Sequence, residues 1–139
     1  MIILDTNVVS EMMRAMPQSA VLGWFATQSA EDVHVTAITM AEVLFGIELL
    51  PTGKRRKDIR AGADRTFGVF AGHILAFDER AAHALSLISS SRRKQGRRPM
   101  SEFDAQIAAI ARIYGATLAT RNITDFEGCG LRLVNPWEG

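Results

Sequence analysis

Oxygen-bearing side chains stand where an α/β protein keeps its chemistry. Asp5 directly follows the apolar run at residues 1–4, Glu42 lies early in the amphipathic segment after VHVTAI, Asp104 begins the apolar stretch FDAQIAAIARIY, and Asn122 comes just after ATLAT. In an open α/β sheet the C-termini of strands and the starts of the following helices share one edge, which is where ligands bind. Carboxylates gathered there repel one another unless protonated or neutralised, and a hard divalent cation, Mg²⁺ or Mn²⁺, is the natural neutraliser of oxygen ligands. Such a cluster activates water and stabilises the charge developing on a phosphodiester, by one-metal or two-metal catalysis. Each residue also has a plain structural reading. Asp5 can cap its helix, Thr39-x-x-Glu42 and Ser101-x-x-Asp104 both resemble capping boxes, and Asn122 with Asp125 fits an Asx-rich turn.

The elements that must position these groups follow from periodicity. Continuous apolar or β-branched runs predict strands at 1–4, 33–38, 74–77, 116–120 and 131–134. Between them, DTNVVSEMMR turns at once into a short helix, and Val21, Leu22, Trp24 and Phe25 give the next helix an apolar side. Thr39 is expected to cap a helix ended by Pro51 and Gly53, with residues 54–71 continuing helically past Gly62 and Gly68. A helix carrying Ala81, Ala82, Leu85 and Ile88 leads into a basic loop at 92–98, and Phe103, Ile107, Ile110 and Tyr114 mark a last long helix with Gly115 as its C-cap. Strands alternating with helices predict a three-layer α/β fold with a mainly parallel central sheet.

Size and composition agree with one domain over residues 1–139: 47% hydrophobic and 22% charged residues is a globular balance. A lone Cys129 excludes an internal disulfide, and the opening apolar run stops at Asp5, too early for a signal peptide, so the expected location is the cytoplasm. The net charge of +1 neither demands nor excludes a polyanionic partner, but KRRKDIR (54–60) and RRKQGRR (92–98) are strongly basic. His34, His73 and His83 lack a metal-binding pattern, and the chain has no Walker A motif, GxGxxG or CxxC.

The ordered series ILDTNVVSE (3–11), TAITMAEVLFGI (36–47), FDERAA (77–82), RRKQGRRPMSEFDAQIAAIA (92–111), GATLATRNITDF (115–126) and NPW (135–137) resembles the PIN-domain ribonucleases, especially the VapC-type toxins of bacterial toxin–antitoxin pairs and their FitB-like branch. The resemblance spans nearly the whole chain and implies a PIN-like α/β/α domain. It assigns the central acidic roles to Asp5, Glu42 and Asp104: Asp5 and Asp104 as metal ligands, Glu42 as a ligand or as the group that orients a water. Asn122 falls where many PIN domains carry a fourth acid, so the sequence departs from the fullest acidic pattern there, and Asp125 is a candidate to compensate. Thr6 and Thr120 match supporting polar positions.

The resemblance further implies metal-dependent endonucleolytic cleavage of RNA, such as tRNA, leaving a 5′-phosphate. Arg92, Arg93, Lys94, Arg97, Arg98 and Arg121 are candidate phosphate contacts, against the reading of 92–98 as a solvated charge run. The implied partners are a second copy of the chain and a small VapB-like antitoxin whose C-terminal segment obstructs the site. Met12, Met13, Trp24, Phe25 and the apolar part of 43–50 are candidate contacts, each equally readable as core. A competing reading is a catalytically weak RNA-binding or protein-interaction module that keeps the acids as caps or as a structural metal site. An aspartyl-phosphate enzyme is disfavoured because Asp5-Thr6-Asn7 lacks the DxD arrangement.

Overall fold

The central strand is the most apolar piece of the chain, and the rest is layered around it. In the computed structural model, which describes residues 1–138, the sheet contains β1 (Ile2–Leu4), β2 (Val33–Thr36), β3 (Ile74–Leu75), β4 (Thr117–Ala119) and β5 (Arg132–Val134), in the order β3-β2-β1-β4-β5. Every neighbouring pair is parallel, so the sheet is wholly parallel. Parallel strands need crossovers and are covered on both faces. The helices that cover them are α1 (Thr6–Met12), α2 (Ser19–Ala26), α3 (Ala37–Glu48), α4 (Lys54–Val69), α5 (Glu79–Lys94), α6 (Glu102–Ile113) and the single turn α7 (Ile123–Phe126).

Side chains alternate across a strand, and the core divides accordingly. Ile3 and Leu118 point to one face, where they meet Ile88 of α5 and Ile107 and Ile110 of α6. Leu4 and Ala119 point to the other, against Val8 and Val9 of α1, Ile47 of α3 and Phe67 of α4. The result is the three-layer α/β/α arrangement. Among the described residues, no helix is long and apolar enough to cross a membrane.

Several local signals resolve differently from expectation. The second strand ends at Thr36, because the Thr36 hydroxyl accepts the Thr39 N–H (3.0 Å) and caps α3 three residues earlier than expected. Glu42 therefore lies in the second turn of α3 and is no part of a capping box. Ser101, by contrast, does cap α6, accepting the Asp104 N–H at 3.1 Å. Helix α4 runs unbroken through Gly62 and Gly68, with Ala63 and Phe67 burying its inner side. The expected strand at 74–77 shortens to two residues, and Asp78 caps α5 through the Ala81 N–H (3.0 Å). At the end of α6, Gly115 adopts φ 60, the left-handed position that lets the chain turn into β4.

The basic segment 92–98 is not a loop throughout, since α5 continues to Lys94. Arg92 is buried, and its guanidinium donates to the carbonyls of Glu127 (2.7 Å) and Arg98 (3.0 Å). It ties α5 to the segment after α7, which removes it from the phosphate-contact candidates. Arg92→Ala leaves two carbonyls without their donor and is expected to lower stability by about 1–3 kcal/mol in urea unfolding. Arg93→Ala, at an exposed position, should stay within about 0.5 kcal/mol.

Candidate active site

The strand order reverses direction at β1, since β2 and β3 lie to one side and β4 and β5 to the other. A crevice opens at such a switch point, outside the carboxyl ends of the strands. Asp5, the first residue after β1, is therefore placed in it by connectivity alone. Its side chain is 3% exposed. Oδ1 accepts the Thr6 N–H at the start of α1 (2.8 Å), and Oδ2 accepts the hydroxyl of Thr120, just past β4 (2.7 Å). Asn7 spans the same two strand ends: its amide nitrogen reaches Asp5 Oδ2 and Thr120 Oγ1, both at 3.4 Å, and its oxygen accepts the Arg121 N–H at 3.3 Å. The Asn122 N–H in turn donates to Thr120 Oγ1 (3.0 Å).

Glu42 approaches from α3. The Thr6 hydroxyl donates to Glu42 Oε1 (2.6 Å) and lies 3.1 Å from Thr39 Oγ1. Asp104 arrives from the first turn of α6, which runs antiparallel to β4 and so begins at the same sheet edge. Asp5, Thr6, Asn7, Glu42, Asp104 and Asn122 line one cleft of about 500 Å³. Burial pushes the Asp5 carboxyl up to about 6; the charges of Asp104 and Glu42 add to the rise, while the bonds from Thr120 and Thr6 oppose it. Asp104 is raised as well, first by burial and then by Glu42 and Asp125, against hydrogen bonding with Ser101. The acids thus sense one another across the cleft. Among the described residues, however, no three His, Cys, Asp or Glu side chains form a group ready to hold a metal ion.

Other expected residues lie at graded distances from this centre. Thr120 is fully buried beneath Asp5, and Asp125 is exposed on α7, outside the cleft lining, with its charge felt at Asp104. Arg121 lines the cleft. Arg93, Lys94, Arg97 and Arg98 are exposed and absent from the lining, and Arg97 donates to Gln95 (3.0 Å). His34 and His73 stack at 4.4 Å, each ring bonded to a backbone carbonyl at 2.9 Å, a packing arrangement outside the cleft.

Glu11 and Trp137 also line the cleft, unexpected from sequence. Glu11 is buried, and its carboxylate accepts the Gln18 N–H (3.2 Å) and contacts Arg14 (3.2 Å). One signal was present: Asn7 and Glu11 are four apart on a short helix, so they share its face.

The PIN domain profile matches residues 2–127 of the chain. The protein belongs to the PIN-domain family. It is 40% identical over 139 residues to the plasmid stability protein StbB of Pseudomonas syringae pv. tomato, with 99% of each chain covered. It is 38% identical over 139 residues to the VapC ribonuclease Y4jK of Sinorhizobium fredii, again with 99% of each covered. The crystal structure of FitAcB from Neisseria gonorrhoeae superposes with a TM-score of 0.92 at 36% identity, covering 100% of both chains. This PIN-domain protein is thus related to the VapC- and FitB-type toxins of toxin–antitoxin systems.

The Asp5 carboxylate gives the PIN domain a signed pH dependence. A pKa raised from 3.8 to about 6 means that the folded state binds this proton more tightly than the unfolded chain. Its contribution favours folding at low pH and is lost as pH rises between about 4 and about 6. In EDTA buffer, Asp5→Asn is expected to be more stable than the parent by about 2–3 kcal/mol above pH 6, with the difference vanishing near pH 4. Urea unfolding across this range measures it; equal stability at pH 7.5 would show that the buried charge carries no such cost.

Proposed function

We propose that this PIN domain, a single domain over residues 1–139, is an endoribonuclease that hydrolyses RNA phosphodiester bonds with a divalent cation, Mg²⁺ or Mn²⁺. The observation that carries the reading is the meeting of Asp5, Glu42 and Asp104 on one cleft at the switch point of the sheet. The donor set fits a hard cation: all three offer carboxylate oxygens, and Asp5 and Asp104 hold their protons more tightly than usual, first because they are buried and then because other negative charges lie near. Asp5 and Asp104 would hold the ion, with Glu42 as a third ligand or as the acceptor of a proton from the attacking water. The ion supplies Lewis-acid activation of water and charge neutralisation at the phosphate.

The chain's own residues set the geometry. Thr6 and Thr120 fix the Asp5 carboxylate, and Thr6 fixes Glu42. Asn122 offers an amide oxygen without adding charge. Attack of water on phosphorus with departure of the 3′ oxygen leaves a 5′-phosphate on the downstream RNA.

The name of the related VapC ribonuclease Y4jK supports RNA as the substrate, with structured RNA such as tRNA as the target class. We infer a translation-inhibiting toxin of the cytoplasm, working as a homodimer and neutralised by a VapB-like antitoxin. A groove of about 960 Å³ adjoins the acidic cleft through Thr6, Ser10, Arg14 and Glu42, and Met13, Val43, Ile47 and Leu50 give it an apolar floor for the antitoxin segment. Met12, Trp24 and Phe25 lie outside the lining of this groove and, like Met13 and Val43, pack against the core beneath α1, α3 and α4.

A second reading, an RNA-binding or protein-interaction module without turnover, draws on the neutral Asn122 and on the lack of a ready three-ligand group among the described residues. Purified protein and Asp104→Asn, incubated with total RNA and Mg²⁺ or Mn²⁺, decide between them. The parent is expected to yield discrete fragments with 5′-phosphate ends, and the variant to lose at least about a hundredfold in rate while keeping its fold. Equal RNA binding with no cleavage by either protein would favour the module.

A further inference from the structure

Two arginines line the acidic cleft, and the fold treats them differently. Arg14 pairs with Glu11 at 3.2 Å. Arg121 forms no ion pair among the described residues, although Asp5, Glu42 and Asp104 share its cleft. Its guanidinium lies instead over the indole of Trp137, 5.1 Å from the ring centroid. The backbone of Arg121 is pinned by Asn7, so the root of the side chain is fixed at the strand end. Trp137 is fixed too: its backbone N–H donates to Asn135 Oδ1 (2.9 Å), and its ring packs against the core cluster of α1, α3 and α4. The indole N–H is buried without a partner, so packing and the cation hold the ring, with no hydrogen bond of its own.

An aromatic face attracts a guanidinium without neutralising it. A carboxylate partner would cancel the charge that an incoming phosphate needs. Resting on indole, Arg121 keeps its planar donors open to two oxygens of one phosphate. We propose that Arg121 binds the phosphate next to the scissile one, and that Trp137 is the positioning residue that holds its guanidinium away from the acids. This rests on the ribonuclease reading of the same cleft.

The test measures binding separately from cleavage. A fluorescein-labelled, mixed-sequence single-stranded RNA is titrated against the full chain carrying Asp104→Asn, over a range of salt. Adding Arg121→Ala is expected to weaken binding about tenfold, the loss of a charge-assisted contact. It should also lower the slope of log affinity on log salt by about 0.7, one phosphate on a single strand. Arg121→Lys should fall between. Trp137→Leu should follow Arg121→Ala, and Trp137→Phe, which keeps an aromatic face, should restore binding.

Unchanged affinity and salt slope in Arg121→Ala, or no RNA binding by the parent, overturns the proposal. A loss in Arg121→Ala with none in Trp137→Leu overturns the positioning role. Should Trp137→Leu fail to fold, the contrast of Trp137→Phe with Arg121→Lys decides: loss in the former and not the latter contradicts the proposal. Persistent RNA cleavage by Asp104→Asn instead removes the ribonuclease assignment of these acids, a result independent of the Arg121 binding data.

Discussion

The bond from the Thr120 hydroxyl to Asp5 Oδ2, at 2.7 Å, is the contact on which the rest of the site depends. It joins the ends of two adjacent strands, β1 and β4, at the point where each leaves the sheet. A buried carboxylate is costly unless it is hydrogen-bonded. Thr120 and the Thr6 N–H supply those bonds, yet burial still leaves Asp5 near 6. The contact therefore holds charge in place without relaxing it. A fully compensated carboxylate would have little need of a proton, whereas this one holds its proton more tightly than usual.

The topology explains why the other acids come to Asp5. Helices in a parallel sheet run antiparallel to the strands they cover, so the N-terminal halves of α3 and α6 lie toward the edge where β1 ends. Glu42 and Asp104 are then delivered by helix placement, each from a different face of the sheet: α6 packs with Ile3 and Leu118, α3 with Leu4 and Val35. A cleft assembled from both outer layers needs both cores to form. Its geometry is consequently a property of the whole fold.

This also explains what the sequence made legible. Asp5 and Asp104 each sit at the boundary of a strong signal, an apolar strand for one and a capped amphipathic helix for the other, so type and place were readable together. Glu42 was readable as a residue but displaced by a turn, because the threonines of VTAIT all have the chemistry of a cap and only the length of β2 selects Thr36. Arg92 was misread because a run of basic residues looks solvated, while its burial comes from carbonyls of Arg98 and the distant Glu127. Trp137 could not be placed from local pattern at all, since its neighbour Arg121 reaches it only through the pairing of β4 with β5.

The threonines carry a further consequence for Glu42. One hydroxyl has one proton, so if Thr6 donates to Glu42 at 2.6 Å, its contact with Thr39 at 3.1 Å requires Thr39 to be the donor there. Thr36, already accepting the Thr39 N–H, can donate its own proton to Thr39 Oγ1 at 3.4 Å. The hydroxyls then form a chain directed from the α3 cap to the Glu42 carboxylate, each polarising the next. Such a chain aims one of the Glu42 oxygens at Thr6. Asp5 is bonded to the end of β4 through Thr120, while Glu42 is bonded to the start of α1 through Thr6. The same threonine touches both acids, through its N–H on one side and its hydroxyl on the other. Thr6 is therefore the residue that ties both acids to the start of α1.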